Sequence, residues 1–587
     1  MRLARPAGGL PLFVRTELNG TPYLIANRTV GARWFPGLDK APSPAAEPFL
    51  ESKPARGYRV FVLGESSAAG FPYPRNAMFS RLLGDVLRDA MPGDSVEVVN
   101  LGIAATNSFT MLDVARDVAA QQPDAVLIYG GHNEYYGAFG AASRMGIPGG
   151  TAMVRAYLRL MRLRTVAALQ SAFARARRGG DGSANDLEAA SLMEVLARDR
   201  QVPLESPGYE RGLRQFEANL ASIIRVLTSR GIPVLVGSVA SNLRDQPPFA
   251  AEANSRPGGA VSVFEGARSA LAKGDTTAAR GLFERARDLD VIRFRAPAAL
   301  NKVVRSVTSS TRATYVPVAE AFARASPGGI PGSNLFLEHV HPNREGYALL
   351  GRVFFEELVK ARRLGPSFDS SRVRPWEEYS RGTTLTRLDE RIAQHLTATL
   401  VSRWPFVPVE RQTDYRGSYV PANLIDSLAF AVSRGERWEA AKLRLGEDYE
   451  RRKQYDSAAA EYAGLARDAP VFAEPLMLVA RALDLAGRAA DAEAALRRAV
   501  AIRPSAAALT SLATRAFERR AIPEGIALSE RSLTLQQNQP DLLYQLALAY
   551  GMSRDVPNAR ATALRLARIA PRDPRLPELL DGLGMRR

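Results

Sequence analysis

Five short apolar runs constrain this chain more than any other feature: Arg59–Leu63, Val96–Leu101, Asp124–Tyr129, Ile232–Ser238 and Thr314–Val318. Each has the length of a buried strand, and each gap between them leaves room for at least one helix. Strands alternating with helices predict a parallel α/β sheet with right-handed crossovers, whose ligands sit at the carboxyl ends of the strands. With 587 residues the chain is long enough for about four domain-sized units. At 46% hydrophobic and 24% charged residues it has the make-up of a folded protein.

Composition removes several kinds of chemistry. There is no cysteine, which excludes disulfides, thiolate nucleophiles and Cys-ligated metals. The four histidines are His132, His339, His341 and His395. A net charge of +17 favours weak attraction to anionic surfaces without selecting lipid, nucleic acid or acidic glycan. No basic–aromatic motif supports nucleic-acid binding, which ranks last among partners, and membrane-surface contact has no motif of its own. No run of eighteen apolar residues occurs, and Pro and Gly break the apolar stretch in Met1–Leu18. The chain as written is therefore expected neither to span a membrane nor to carry an export signal. An anchor encoded further upstream would escape this reading, so the compartment stays open.

Residues 1–55, with Pro36, Pro42, Pro44, Pro48 and Pro54, read as an irregular lead-in packed on the strand-bearing region after it. Residues 56–365 carry the strands, with helical insertions at about 151–230 and 262–300. In the first insertion Met153–Arg178 reads as a helix presenting Arg155, Arg159 and Arg162 on a solvated basic face, followed by a mobile tip at Gly179–Ser183. The second reads as a helical hairpin with Gly274 at its turn. A linking helical region at 366–435 leads to a third composition, rich in Ala, Leu, Arg and Glu, over 436–587. There Pro470, Pro504 and Pro571 stand 34 and 67 residues apart, with Gln537 in the missing position. Glu461–Ala466 aligns with Ala495–Val500, and Gly487 marks a turn between paired helices. This 34-residue period, over about Glu439–Leu576, resembles the tetratricopeptide repeat. The resemblance implies an all-α solenoid of stacked helix pairs whose concave surface docks a protein partner.

The turn after the first strand is Gly64-Glu65-Ser66-Ser67-Ala68-Ala69-Gly70. A serine at a strand-to-helix turn exposes its hydroxyl at the sheet edge beside backbone N–H groups, although helix capping produces the same pattern. Three further segments come in order: Asn100-Leu101-Gly102, then Gly130-Gly131-His132-Asn133-Glu134, then Glu338-His339-Val340-His341-Pro342-Asn343. Together the four blocks resemble the SGNH (GDSL-type) hydrolase family, over Arg59–Leu358 less the insertions. The resemblance implies a flavodoxin-like parallel sheet and ester chemistry that needs no metal or organic cofactor. It assigns Ser66 as nucleophile, His341 as base and Glu338 as the acid that orients it. The oxyanion hole it implies is made by the Ser66 and Gly102 N–H groups and the Asn133 side-chain amide. At Gly102 a side chain would crowd the substrate carbonyl.

The chain departs from the family in carrying Glu65, Glu134 and Glu338 where Asp is usual. At Glu338 the longer arm must fold back to hold His341, while Glu65 reads as a structural hydrogen-bond acceptor. His132, in the variable position of its block, reads as a pocket residue. His339 is the rival base, since alternate residues of an extended segment share a side; His341 is preferred because the acid stands three residues before it. A zinc site from His132, His339 and His341 lacks the usual ligand spacing. The leading expectation is a serine esterase or acyl hydrolase using an acyl-Ser66 intermediate and water, with the repeats docking a partner. Two alternatives remain: an O-acyltransferase or deacetylase acting on a glycan with the same residues, and an inactive scaffold whose repeats carry the function.

Overall fold

A computed structural model describes residues 10–36, 38, 41–73, 75–147, 150–163, 165–166, 189–382 and 384–585. The chain divides into two compact units, Met1–Ser433 and Arg434–Arg587.

Part of the lead-in of the first unit is regular, against expectation, while residues 41–48 are irregular as expected. Strands β1 (Phe13–Leu18) and β2 (Thr21–Ala26) pair antiparallel, and β3 (Phe49–Leu50) adds to β2. Asn19 and Gly20 make the turn, with φ of +53° and +75°. An Asn-Gly pair between two strands adopts these left-handed values readily, and their twist matches that of the strands. The cluster of prolines that suggested irregular chain lies wholly beyond β2. Phe13, Phe49 and Phe61 meet edge to face at 5.1 and 5.4 Å, which seats this small sheet on the first core strand.

The core sheet contains β4 (Gly57–Gly64), β5 (Ser95–Gly102), β6 (Ala125–Tyr129), β7 (Val234–Gly237) and β8 (Thr314–Val316). All pairings are parallel, in the order β5-β4-β6-β7-β8. The strands β4 and β6 are buried almost end to end, as continuous apolar runs require when helices cover a parallel sheet. Gly64 is level with Gly102 on one side and Tyr129 on the other, so three strands end together. The chain passes from β5 on one side of β4 to β6 on its other side, which makes the carboxyl end of β4 the topological switch point.

The basic face expected on the first insertion is corrected. Of Arg155, Arg159 and Arg162, in the helix Gly150–Leu160 and the turn after it, only Arg159 is exposed. Arg155 donates to Asn219 Oδ1 at 2.7 Å, and Arg162 pairs with Asp113 and Asp117 at 2.8 and 3.0 Å. Those partners come from the distant helices Ser108–Val118 and Pro207–Thr228, which helical periodicity cannot reveal. The tip Gly179–Ser183 and half of the helix expected over Met153–Arg178 lie outside the described residues. In the second insertion the helices Ala260–Ala272 and Thr276–Leu289 pack as a hairpin around Phe264 and Phe283, with Gly274 at φ +80°. The first unit runs on through the linking segment, whose Trp404 and Phe406 join Phe249 and Phe294 in one cluster.

The second unit is a run of paired helices of the tetratricopeptide type. The second helix of successive pairs begins at Tyr455, Ala489, Ile522 and Val556, a step of 33 or 34 residues. Where the proline period lapses at Gln537, Pro540 opens the next helix at a position that needs no N–H donor. Small residues set the close packing: a Cβ on Gly446 would lie 2.4 Å from the Tyr462 ring, and one on Gly525 2.3 Å from Phe517. Among the described residues no helix is long and apolar enough to cross a membrane.

Candidate active site

Strand β4 delivers its serine through a short turn. Glu65 is extended, and Ser66 opens the four-residue helix Ser66–Ala69, closed by Gly70 at φ +94°. Gly64 permits this turn, since a Cβ there would sit 2.0 Å from the Tyr129 carbonyl oxygen. Ser66 is half-buried, and its Oγ lies 2.7 Å from His341 Nε2. Ser67 is committed elsewhere, donating to the Val340 carbonyl at 3.0 Å.

The histidine loop is a tight turn before the helix Arg344–Lys360. Leu337 N–H donates to His341 O at 2.9 Å, and the Asn343 side chain caps the helix by accepting from Gly346 N–H at 2.9 Å. The Glu338 side chain folds back inside this turn. One carboxylate oxygen accepts from the His341 N–H at 2.9 Å and meets the His341 Nδ1. The other accepts from the His339 N–H at 2.7 Å and meets the His339 Nδ1. One acid thus serves two imidazoles, but only His341 turns Nε2 to Ser66. His339 sits among Phe249, Phe294 and Phe406. Burial pushes the His341 imidazole down to about 3, which leaves it neutral near pH 7 with Nε2 able to accept a proton. The Glu338 carboxylate acts the other way, favouring the ring once it is protonated. Glu338, His339 and His341 hold one ligand-type atom each within 4.8 Å of one another, so among the described residues these three could hold a metal ion.

The other two glutamates are structural. Glu65 accepts from Gly131 N–H at 3.0 Å and Asn133 N–H at 3.1 Å, which ties the asparagine loop to the serine turn. Glu134 accepts from the Ser108 hydroxyl at 2.7 Å and from the Gln215 side chain. Burial raises Glu65 to about 8 and Glu134 to about 7.

Asn133 lines the cleft beside Ser66 and His341. Gly102 departs from expectation: it is buried, and its N–H donates to Asn100 Oδ1 at 2.8 Å. A Cβ there would meet Ala69 N at 2.5 Å, so the glycine admits the serine helix rather than a substrate. The chain continues past β5 and brings Ala104 and Ala105 to the cleft instead, Ala105 with φ +57°. An alanine in a left-handed conformation gives no sequence signal, so this position was missed. His132 is likewise no pocket residue: it is buried, and its Nδ1 accepts from Ala296 N–H at 3.2 Å. His395 belongs to a separate cluster with Asp426 and Tyr415, at 2.9 and 2.8 Å.

Ser66, Asn133, His339 and His341 line one cleft. Sequence reasoning also missed its walls, which come from Phe71, the helix Ala189–Ala197, Phe294 and Leu400.

Residues 62–349 match the GDSL-like Lipase/Acylhydrolase family. This segment is a GDSL-like acylhydrolase domain. Among solved structures, the chain is similar to a lipase/acylhydrolase from Enterococcus faecalis (17% identity, covering 53% of this chain and 98% of that one, TM-score 0.27). A catalytic mutant of an acetylxylan esterase from Geobacillus stearothermophilus matches at 15% identity, covering 56% of this chain and 100% of the other, with TM-score 0.28. The MamA protein matches at 21% identity over 25% of this chain and 84% of its own, with TM-score 0.24. No curated protein matches the chain. The acylhydrolase domain and the tetratricopeptide-like region together account for most of the chain.

Proposed function

We propose that the acylhydrolase domain cleaves esters through an acyl-Ser66 intermediate. The observation that carries this reading is the 2.7 Å contact of Ser66 Oγ with His341 Nε2, on a ring whose Nδ1 faces Glu338. Nε2 takes the hydroxyl proton as Oγ bonds to the ester carbonyl carbon, and Glu338 stabilises the resulting imidazolium. Negative charge on the carbonyl oxygen is met by the Ser66 N–H, the Asn133 side-chain amide and, in place of Gly102, the Ala105 N–H. The intermediate collapses, and the alcohol leaves with the proton from His341. Water then gives a proton to His341 and attacks the acyl carbon, which frees the acid and restores Ser66. The repeat unit, in this reading, docks a protein partner. Its support is the regular helix-pair step together with exposed apolar side chains such as Leu535 and Met552.

Intact mass after treatment with a fluorophosphonate tests the chemistry without knowledge of the substrate. One adduct is expected, at Ser66, and none in Ser66→Ala. Labelling at Ser67, or no labelling of folded protein, overturns the proposal. Ser66→Ala and His341→Ala should each lower turnover by several orders of magnitude, since groups acting as one unit fail together.

A further inference from the structure

Few polar side chains line the cleft. Four are Ser66, Asn133, His339 and His341, and His339 is already engaged by Glu338. The rest of the lining is mostly carbon. Leu192, Met193 and Leu196 come from the inserted helix Ala189–Ala197, and Leu400 from the helix Arg387–Val401. Tyr136 also lines the cleft, but its hydroxyl donates to the Arg200 carbonyl at 2.7 Å, so it has its hydrogen bond outside the cleft. A sugar needs polar groups placed around its hydroxyls, and an apolar chain needs none.

We infer that the inserted helix Ala189–Ala197 and Leu400 form an acyl-chain wall, which selects esters of apolar acids longer than acetate. The inference rests on the proposed Ser66 chemistry. The acyl group stays on Oγ after the alcohol has left, so a wall continuous with Ser66 acts in both halves of the reaction when it holds the acyl chain. The wall is particular to this chain: three of its residues lie in an insertion, and Leu400 lies beyond the family-matched segment 62–349. Burying each further methylene corresponds to roughly fourfold in kcat/KM while the wall has room for it.

The test measures kcat/KM of the full chain, titrated with fluorophosphonate, on p-nitrophenyl acetate, butyrate, hexanoate and octanoate. Ethyl and octyl acetate are run beside them. From acetate to hexanoate a rise of at least about tenfold is expected, with no comparable rise from ethyl to octyl acetate. Met193→Trp, at a half-buried position, and Leu400→Trp should each lower the octanoate-to-acetate ratio by about tenfold or more. This ratio does not depend on the fraction of protein that folds. Acetate as the best acyl group, a preference that tracks the alcohol, or variants that leave the ratio unchanged would each overturn the inference. Failure of Ser66 to label is a separate result, and it removes the underlying ester chemistry instead.

Discussion

Replacing Glu338 by Gln changes one charge in a group of three and keeps the shape of the side chain. The carboxylate accepts from two buried backbone N–H groups, at 2.7 and 2.9 Å, and touches the Nδ1 of both His339 and His341. A glutamine has a single amide oxygen, so either orientation turns its NH2 toward one of those backbone donors. Leaving that donor unsatisfied costs about 1–3 kcal/mol of stability. During turnover His341 becomes positive, and a unit charge pair about 4 Å apart at an effective dielectric of about 20 interacts by about 4 kcal/mol. The amide dipole retains part of this, which leaves a loss of about 2–4 kcal/mol, or roughly 30- to 1000-fold in kcat. The variant should remain more active than His341→Ala, which lacks the base. The assay is kcat of fluorophosphonate-titrated enzyme on a small nitrophenyl ester, together with the urea unfolding midpoint. A lowered midpoint with kcat within about threefold of the parent would show that Glu338 only holds the loop, and would refute the argument.

Asn133→Ala should lower kcat by roughly 10²–10³ with little change in the unfolding midpoint, as for loss of one oxyanion donor; unchanged turnover removes Asn133 from the site. Burial raises Glu65 to about 8 and Glu134 to about 7, so the folded protein keeps protons that the unfolded chain has released. These two groups therefore make stability fall as pH rises from 4.5 to about 8. Burial depresses His132, His339 and His341 below 6.5, and these favour the folded state more as pH rises toward 6.5. Unfolded histidines, His395 among them, are still half protonated at pH 6.5, so the glutamates outweigh them only from about pH 7 to 8, where thermal unfolding should move to lower temperature; a rise across that window refutes the assignment. Each unit has its own apolar core. A chain ending at Ser433 should therefore keep its turnover of small esters, and loss of turnover in a cooperatively folded truncation would show that the repeats help build the site.

The strands, the helix-pair period and the order of the chemical blocks were legible because each is a property of neighbouring residues. Gly57–Gly64 announces a buried strand by its own composition, and Ser66, Asn133, Glu338 and His341 sit in recognisable local patterns. The Asn19-Gly20 hairpin was equally local, and was obscured only by the prolines downstream of it. Gly102 shows where local reading fails. Its block indicated a glycine where the backbone is crowded, but the crowding comes from the serine helix some thirty residues earlier in the chain.

What the sequence determined by itself is the pair of architectures and the reactive groups at the end of β4, since these follow from periodicity, turn chemistry and residue type. Tertiary structure decided which histidine faces Ser66, that one glutamate holds two rings, and that Ala105 rather than Gly102 reaches the cleft. It also decided that Arg155 and Arg162 are partnered and that Leu196 and Leu400 share one wall. The physical reason is that hydrogen bonds and packing depend on distances of a few ångströms between atoms far apart along the chain. Those distances are set only when strands align their ends and insertions fold back over them.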